Sequence, residues 1–263
     1  MKKKKGKVLR AYAWLVYVFL YAPIAILVVF SFNKASQTAV WQGFTLEWYR
    51  SLSHNELILD SVRNSLVVAF AATAIATVIG TLVALALGRY EFRGQSFTKN
   101  LLYLPVIIPE IVVGAALVTF FGVAALRLSL LTVIIAHVVF SISFVAIVVR
   151  ARLSGFDRSL EEAALDLGAR PMQTFWRVTL PLILPGVVAG ALLVFTVSID
   201  DYVITSFVAG VGATTLPLQI YSMLKVGVTP EVNAVSTLLL VVTIALIVVA
   251  QRLQKPPTEG LRD

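Results

Sequence analysis

The chain has 263 residues, of which 59% are hydrophobic and only 14% are charged. These values lie far outside the averages of soluble domains and exclude a soluble globular enzyme, so we expect an all-α, polytopic membrane protein. The absence of cysteine excludes a disulfide framework and a cysteine-based metal site, and the presence of only two histidines argues against a zinc site.

Apolar runs with few charges predict six transmembrane helices. A basic head of ten residues precedes the first run, which is too long for a signal peptide and lacks a small-residue cleavage site. The third run is interrupted by Pro105, Pro109 and the charged Glu110. The predicted spans are residues 12–32, 64–88, 100–122, 129–149, 184–207 and 234–250.

The basic residues predict the orientation of these spans. Seventeen of the 22 Lys and Arg residues fall on one side, in the head, the loop 89–99, the loop 150–177 and the tail. By the positive-inside rule this side is cytoplasmic, and both termini lie there. A seventh span within 208–233 would place the basic tail outside and is rejected. The net charge of +8 is therefore a topology signal and does not indicate a nucleic-acid partner.

The longest polar insertion between apolar runs, Glu161 to Pro181, carries its own helix signals. Ser159 and Glu162 have the spacing of a capping box. Gly168 stands where a helix end favours a left-handed residue, and Pro171 suits the first turn of a second helix. We therefore predict a short helix, a tight turn and another helix, with an apolar face formed by Leu160, Ala163, Ala164 and Leu167.

This insertion resembles the signature loop of ABC importer permeases. The matching text is Glu162-Ala163-Ala164, three residues, Gly168, nine residues, Val178, one residue and Leu180-Pro181. The alternative, a plain connector, would need no helix–turn–helix. In the family the loop forms a coupling helix that docks into a groove on a cytoplasmic ATPase. The resemblance implies that role here for Glu161, Glu162, Ala163, Ala164, Asp166, Leu167, Gly168 and Ala169.

The flanking sequence extends the resemblance over most of the chain. The segments WQGFTLEWY, DDYVITSF and TLPLQIYSMLKVGVTPEVNA are similar to the second permease subunit of spermidine/putrescine importers. The resemblance implies a type I importer permease fold in a bacterial inner membrane. Its implied partners are a second related permease, a homodimeric ATPase that holds ATP and Mg²⁺, an extracytoplasmic binding protein and membrane lipid. The implied organisation begins with a basic head and the first helix in residues 1–33 and an extracytoplasmic segment in residues 34–61. A five-helix core with the coupling loop 151–180 occupies residues 62–251, and a cytoplasmic tail occupies residues 252–263.

Acidic residues at membrane depth are the candidates for a substrate path. Asp200 and Asp201 precede Tyr202 near the outer end of the fifth predicted span, and Glu110 lies within the third. Buried carboxylates in membranes usually face a partner or a wet cavity. One interpretation is a negative lining for a cationic substrate. The other is that a carboxylate caps a helix or pairs with a basic group, and for Glu110 the neighbouring prolines favour this second interpretation.

The chain contains no nucleotide-binding loop and no nucleophile–base constellation, so no enzymatic activity and no bound cofactor are expected. The function indicated is an ABC importer permease subunit for a small cation, with a polyamine as the favoured substrate. The alternative functions are a stand-alone secondary transporter that uses intramembrane acids, and a scaffold subunit of a membrane complex. His137 is expected to be a packed histidine that bonds a neighbouring helix.

Overall fold

The computed structural model describes residues 2–35, 40–155 and 157–254, and these residues form helices joined by short connections. The all-α prediction is confirmed. The predicted tail 252–263 lies outside the described residues except for its first three, which belong to the last helix. The helices are α1 Lys2–Phe30, α2 Glu47–Leu52, α3 Glu56–Arg89, α4 Gln95–Ile107, α5 Glu110–Val123, α6 Leu130–Leu153, α7 Ser159–Asp166, α8 Pro171–Thr174, α9 Leu180–Asp200, α10 Val203–Val208, α11 Leu216–Val226 and α12 Pro230–Gln254.

Five helical segments of the described chain are long and apolar enough to cross a membrane, and the bent pair α4–α5 would make a sixth span. The five segments are 12–30, 56–89, 130–153, 171–200 and 230–249. The basic head, predicted to precede the first span, is continuous with it in α1. The segment 208–233 holds α11, whose 11 residues extend about 16 Å and are too short to span a bilayer.

The third predicted span is broken into two helices. α4 ends at Ile107 and α5 begins at Glu110, with a bend of 108° between them. Ile108 precedes Pro109 and has ψ 132°, because the proline ring disfavours a helical residue before it. The interruption predicted within 100–122 is therefore a sharp break in the structure, and Glu110 is the first residue of the helix that follows it.

The second predicted span begins earlier in the structure. Helix α3 starts at Glu56 rather than near Asn64, and it has 34 residues. The Asn55 side chain accepts the backbone N–H of Ile58, which is the hydrogen bond of a helix cap. The polar residues 56–63 therefore extend the helix beyond the apolar run.

The chain divides into two compact units. One unit consists of the residues up to Leu59 together with Gln219–Val242. Its loop after α1 is organised by the buried Asn33, whose Nδ2 donates to the Val40 carbonyl over 2.8 Å. The Trp48 indole in turn donates to the Asn33 carbonyl over 2.8 Å. These bonds satisfy the buried amide of Asn33 and tie α2 to the end of α1.

The other unit, Asp60–Leu218 with the residues from Thr243, contains the packed helices of the predicted core. Glycines allow close approach of the helices here. A Cβ added at Gly80 would lie 2.6 Å from the Val145 Cβ, and one added at Gly186 would lie 2.8 Å from the Arg152 Cβ. Small residues at such crossings are the usual device for packing helices in membranes.

The loop between α10 and α11 is fixed against α3 within the same unit. Asn64 Nδ2 donates to the carbonyls of Gly212 and Thr214 over 3.0 and 2.9 Å. At Gly210 an added Cβ would lie 1.8 Å from the Leu128 carbonyl oxygen, so only glycine fits. The loop thereby holds the end of α10 in place.

Candidate functional site

The polar insertion forms a helix–turn–helix, as predicted, but its first cap differs. Helix α7 contains Ser159 as its first residue, so Ser159 cannot form the predicted capping box with Glu162. The Asp157 carboxylate, two residues earlier, accepts the backbone N–H of Ser159 over 2.9 Å instead. This hydrogen bond lowers the pKa of Asp157 below its ordinary value. Asp157 therefore provides the side-chain hydrogen-bond acceptor at the start of α7 that the sequence pattern assigned to Ser159.

The turn after α7 is a Schellman motif built on Gly168. Gly168 has φ +87°, in the left-handed region, which confirms the prediction. Its N–H donates to the Leu165 carbonyl over 2.9 Å, and the Ala169 N–H donates to the Ala164 carbonyl over 3.1 Å. These bonds satisfy the carbonyls at the end of the helix and set a fixed, sharp turn.

The second helix begins at Pro171, also as predicted. The Gln173 side chain accepts the backbone N–H of Arg170 over 3.0 Å. A π-helical turn, Phe175–Thr179, follows and joins α8 to α9 without a break. The fifth span was predicted to begin near Leu184, and the helical segment instead extends back to Pro171.

Two arginine contacts anchor this insertion to α3. The Arg89 guanidinium forms an ion pair with Glu161, and it donates a further hydrogen bond of 2.9 Å to Thr179 Oγ1. Thr179 Oγ1 also donates to Glu161. Arg158 Nη2 donates to the Gly88 carbonyl over 2.7 Å. Glu161 is thus engaged within its own chain, and Arg89, which no sequence pattern had indicated, fixes the position of α7.

Several large apolar side chains of the insertion are exposed. No residue of α7 is buried, and the Leu167 side chain is 89% exposed at the tip of the turn. Met172 and Trp176 are 67% and 60% exposed, and Leu160 and Leu165 are exposed as well. Five large apolar side chains are thus exposed on one polar insertion, and exposed apolar patches of this kind often mark interaction sites. We call these five residues, with Gly168, the coupling surface.

The acidic pair at the end of α9 divides into two different environments. Asp200 is the last residue of α9 and is exposed, whereas Asp201 is only 9% exposed. Asp201 Oδ2 accepts the Thr205 backbone N–H over 2.8 Å and the Thr205 hydroxyl over 2.7 Å. Its Oδ1 accepts the Ile204 N–H over 3.3 Å. Asp201 therefore caps α10, and the predicted fifth span over 184–207 ends at this break.

His137 of α6 completes a buried polar network around Asp201. His137 Nε2 lies 3.0 Å from Thr205 Oγ1 and 3.2 Å from Asp201 Oδ2, and Nδ1 lies 2.6 Å from Ser198 Oγ. Because the Thr205 hydroxyl donates to Asp201, its oxygen accepts from Nε2–H. In the neutral imidazole Nδ1 then accepts from Ser198. The prediction that His137 bonds a neighbouring helix is confirmed.

The other predicted path residues lie at helix ends or at the break between α9 and α10. Glu110 is exposed at the start of α5, and Tyr202 is half-buried at the break between α9 and α10. Neither the Glu110 nor the Asp200 side chain forms a hydrogen bond or ion pair within the described ranges. Among those same ranges no group of three or more His, Asp or Glu residues could hold a metal ion.

Comparisons with known proteins give consistent matches. The family profile described as "Binding-protein-dependent transport system inner membrane component" matches residues 76–255. The chain is 43% identical over 241 residues to the spermidine/putrescine transport system permease protein PotC of Haemophilus influenzae, covering 92% of this chain and 94% of that protein. It is 41% identical over 231 residues to the putrescine transport system permease protein PotI of Escherichia coli strain K12, covering 85% and 82%.

A solved structure shares the fold. A chain of a bacterial ABC transporter involved in the import of the acidic polysaccharide alginate superposes with a TM-score of 0.73 and 19% identity. The match covers 95% of this chain and 96% of that one. At this identity the likeness establishes the type I permease architecture alone.

Proposed function

Because the chain belongs to the family of binding-protein-dependent transport system inner membrane components, we propose that it is a permease subunit of an ATP-driven importer of polyamines. It would form half of the translocation path in a bacterial inner membrane. The observation that carries the proposal is the exposed coupling surface, anchored at its base by Arg89 and Glu161. A plain connector between two spans would need neither the fixed turn nor the apolar tip.

The coupling surface supports the proposal that a cytoplasmic ATPase docks here. Leu167, Met172 and Trp176 would be buried in a groove of the partner, which removes their exposed area from water. The small residues Ala163, Ala164 and Ala169 and the turn at Gly168 would let the partner approach the backbone, while Glu162 and Asp166 are exposed beside them. Glu161 would act differently from the other predicted coupling residues, because it holds α7 to α3.

The assignment of polyamines as substrate rests on the names of the two permeases with more than 40% identity. Asp200 provides support from the chain itself, because an exposed carboxylate at the end of a span attracts ammonium groups. We place Asp200 and the neighbouring Tyr202 on the path, with Glu110 as a further acidic residue at the break before α5. Asp201 is assigned a structural role instead, because its carboxylate is committed to α10 and His137.

The remaining partners and the orientation follow as parts of the same proposal. A second, related permease would complete the path, a pair of ATPase subunits would bind ATP and Mg²⁺, and an extracytoplasmic binding protein would deliver the substrate. Both termini and the coupling surface would face the cytoplasm, as the distribution of Lys and Arg predicts. The unit boundaries 34–61 and 62–251 remain the proposed division between the extracytoplasmic segment and the permease core.

Copurification tests the proposed docking. The full chain is purified in mild detergent, and the bound ATPase subunit is identified and quantified for Leu167→Ser and for Val226→Ser. Val226 is 93% exposed but lies at the end of α11, outside the coupling surface. We expect Leu167→Ser to lower ATPase retention at least about fivefold, because a buried leucine contributes ~1.5–3 kcal/mol. Equal retention in both variants would contradict the docking surface.

Uptake by path variants tests the proposed substrate. Asp200→Asn keeps the size of the side chain and removes its charge. We expect spermidine and putrescine uptake, normalised to assembled complex, to fall while basal ATP hydrolysis persists. Normal uptake in this variant would remove Asp200 from the path without affecting the proposed docking surface.

A further inference from the structure

A cavity of about 380 Å³ lies beside the coupling surface, where the C-terminal ends of α3 and α6 meet the start of α7. It is separate from both the apolar tip at Leu167 and the acidic end of α9. Its volume falls at the lower end of the range for small-ligand pockets, roughly 300–1,000 Å³. The lining residues are Leu87, Gly88, Arg150, Leu153, Ser154 and Arg158.

Two arginines give this cavity a positive charge, and neither forms an ion pair within the described ranges. The half-buried Arg150 side chain makes no hydrogen bond or ion pair within the described ranges. Arg158 uses one N–H for the Gly88 carbonyl and retains its other donors. The nearby carboxylates are engaged elsewhere, because Asp157 accepts from Ser159 and Glu161 pairs with Arg89.

The rest of the wall is apolar. Leu87 is buried and Leu153 is half-buried, and both belong to the packed ends of membrane-spanning helices. A ligand that suits this lining carries an anionic group for the arginines and carbon atoms for the leucines. Guanidinium groups bind phosphate through paired N–H donors, which makes phosphate the best-matched anion.

The position of the cavity across the membrane indicates the source of the phosphate. Leu87 and Leu153 end their spans on the side that carries most of the Lys and Arg residues, which is the cytoplasmic side by the charge rule. Phosphate groups of anionic phospholipids are concentrated at that surface, and basic pockets between helices on the cytoplasmic side suit such headgroups.

We propose that the Arg150–Arg158 cavity binds the phosphate group of an anionic phospholipid from the cytoplasmic leaflet. This site goes beyond the transport function proposed above and does not depend on it. Arg158 directly precedes α7, so a headgroup held there neutralises the charge at the base of the coupling surface and fixes the start of its helix. Lipid composition then becomes a determinant of how well the coupling surface is ordered.

Lipid retention tests this proposal directly. The full chain, with the subunits that copurify, is placed in nanodiscs of mixed phosphatidylglycerol and phosphatidylcholine, and the lipid that remains bound after extraction is identified by native mass spectrometry. We expect selective retention of phosphatidylglycerol by the wild type. Arg150→Gln and Arg158→Gln should each lower that retention about fivefold, whereas Arg93→Gln, an exposed arginine of the loop after α3, should not.

Further variants distinguish a specific lipid-binding cavity from general electrostatic attraction between basic residues and anionic lipid. Ser154→Phe keeps both arginines and fills the cavity with a large side chain. It should therefore also lose the lipid. If the glutamine variants fail to assemble, this variant tests the proposal in their place. Arg150→Lys should retain most of the lipid. Unchanged retention in Arg150→Gln/Arg158→Gln, or an equal loss in Arg93→Gln, would overturn the proposal. Displacement of the lipid by inorganic phosphate would reassign the cavity to a free anion and overturn the lipid assignment.

Discussion

The imidazole Nε2 of His137 lies 3.2 Å from the Oδ2 of Asp201, and both side chains are buried. The contact joins α6 to the break between α9 and α10. Thr205 bonds both partners, so three side chains fix the geometry of the break. As a result two adjacent aspartates have different surroundings, and only Asp200 is exposed.

This relationship predicts different outcomes for the two aspartates. Asp201→Ala removes the cap of α10 and leaves the Thr205 hydroxyl and the backbone N–H groups of Ile204 and Thr205 without their acceptor. We expect it to lower the free energy of unfolding by about 1–3 kcal/mol, measured as a fall in the thermal unfolding midpoint in detergent. Asp200→Ala, one residue earlier, serves as the control and should leave the midpoint unchanged. Equal midpoints for the two variants would contradict the capping role of Asp201.

The sequence could not separate these two residues. The run 184–207 is apolar apart from the acidic pair, so it was predicted as one span with both carboxylates near its outer end. The helix ends at Asp200 because the Asp201 side chain competes for the backbone N–H groups of Ile204 and Thr205. His137, 64 positions away, contacts the same carboxylate, and a local pattern does not contain that contact.

The ion pair between Arg89 and Glu161, which anchors the coupling surface, predicts the effect of exchanging the two charges. Arg89→Glu and Glu161→Arg should each weaken ATPase coupling, because each leaves a partly buried charge facing a like charge. The double variant restores an opposite-charge pair and should recover part of the coupling. Substrate-stimulated ATP hydrolysis by the purified complex measures this, and we expect a coupling energy between the two positions of about 0.5–3 kcal/mol. Additive losses in the double variant would show that the pair does not act together.

The left-handed turn at Gly168 predicts a position-specific loss of coupling. Gly168→Asp adds a charge and a side chain at the tip of the coupling surface, and it forces an L-residue into the left-handed region at a cost of ~1–2 kcal/mol. Gly94 has φ +91° in the loop after α3 and is equally open, so Gly94→Asp imposes the same strain outside the coupling surface.

We expect Gly168→Asp to abolish substrate-stimulated ATP hydrolysis while membrane insertion persists, and we expect Gly94→Asp to retain it. If both variants lose stimulation to the same degree, the effect arises from backbone strain and the docking role of Gly168 is wrong.

The turn was predictable because its signals are local. A glycine at a helix end and a proline in the next first turn determine the conformation of their own neighbours. The anchor was not predictable, since Arg89 and Glu161 are 72 residues apart and only the packing of α3 against the insertion brings them together. The bend of 108° after α4 is an intermediate case. Pro105 and Pro109 indicated an interruption, but the direction of the chain beyond it depends on how α5 packs.

The proposed orientation predicts which sites an impermeant thiol reagent can reach. The chain has no native cysteine, so single substitutions report without background. In intact cells or spheroplasts, Ser53→Cys and Val211→Cys should label from the outside, whereas Ser96→Cys and Gln251→Cys should label only after the membrane is opened. All four positions are exposed in the structure. Outside labelling at Gln251 would require an odd number of spans and would overturn the cytoplasmic assignment of the C-terminus.

The most direct test of the central claim is polyamine uptake by the reconstituted complex. The chain and its copurifying subunits are placed in proteoliposomes with the extracytoplasmic binding protein, and labelled spermidine or putrescine uptake is measured with ATP on the ATPase side or with an imposed ion gradient alone. The account predicts uptake that requires ATP hydrolysis and is lost in Gly168→Asp. Uptake driven by the ion gradient without ATP would contradict it and would indicate a secondary transporter instead.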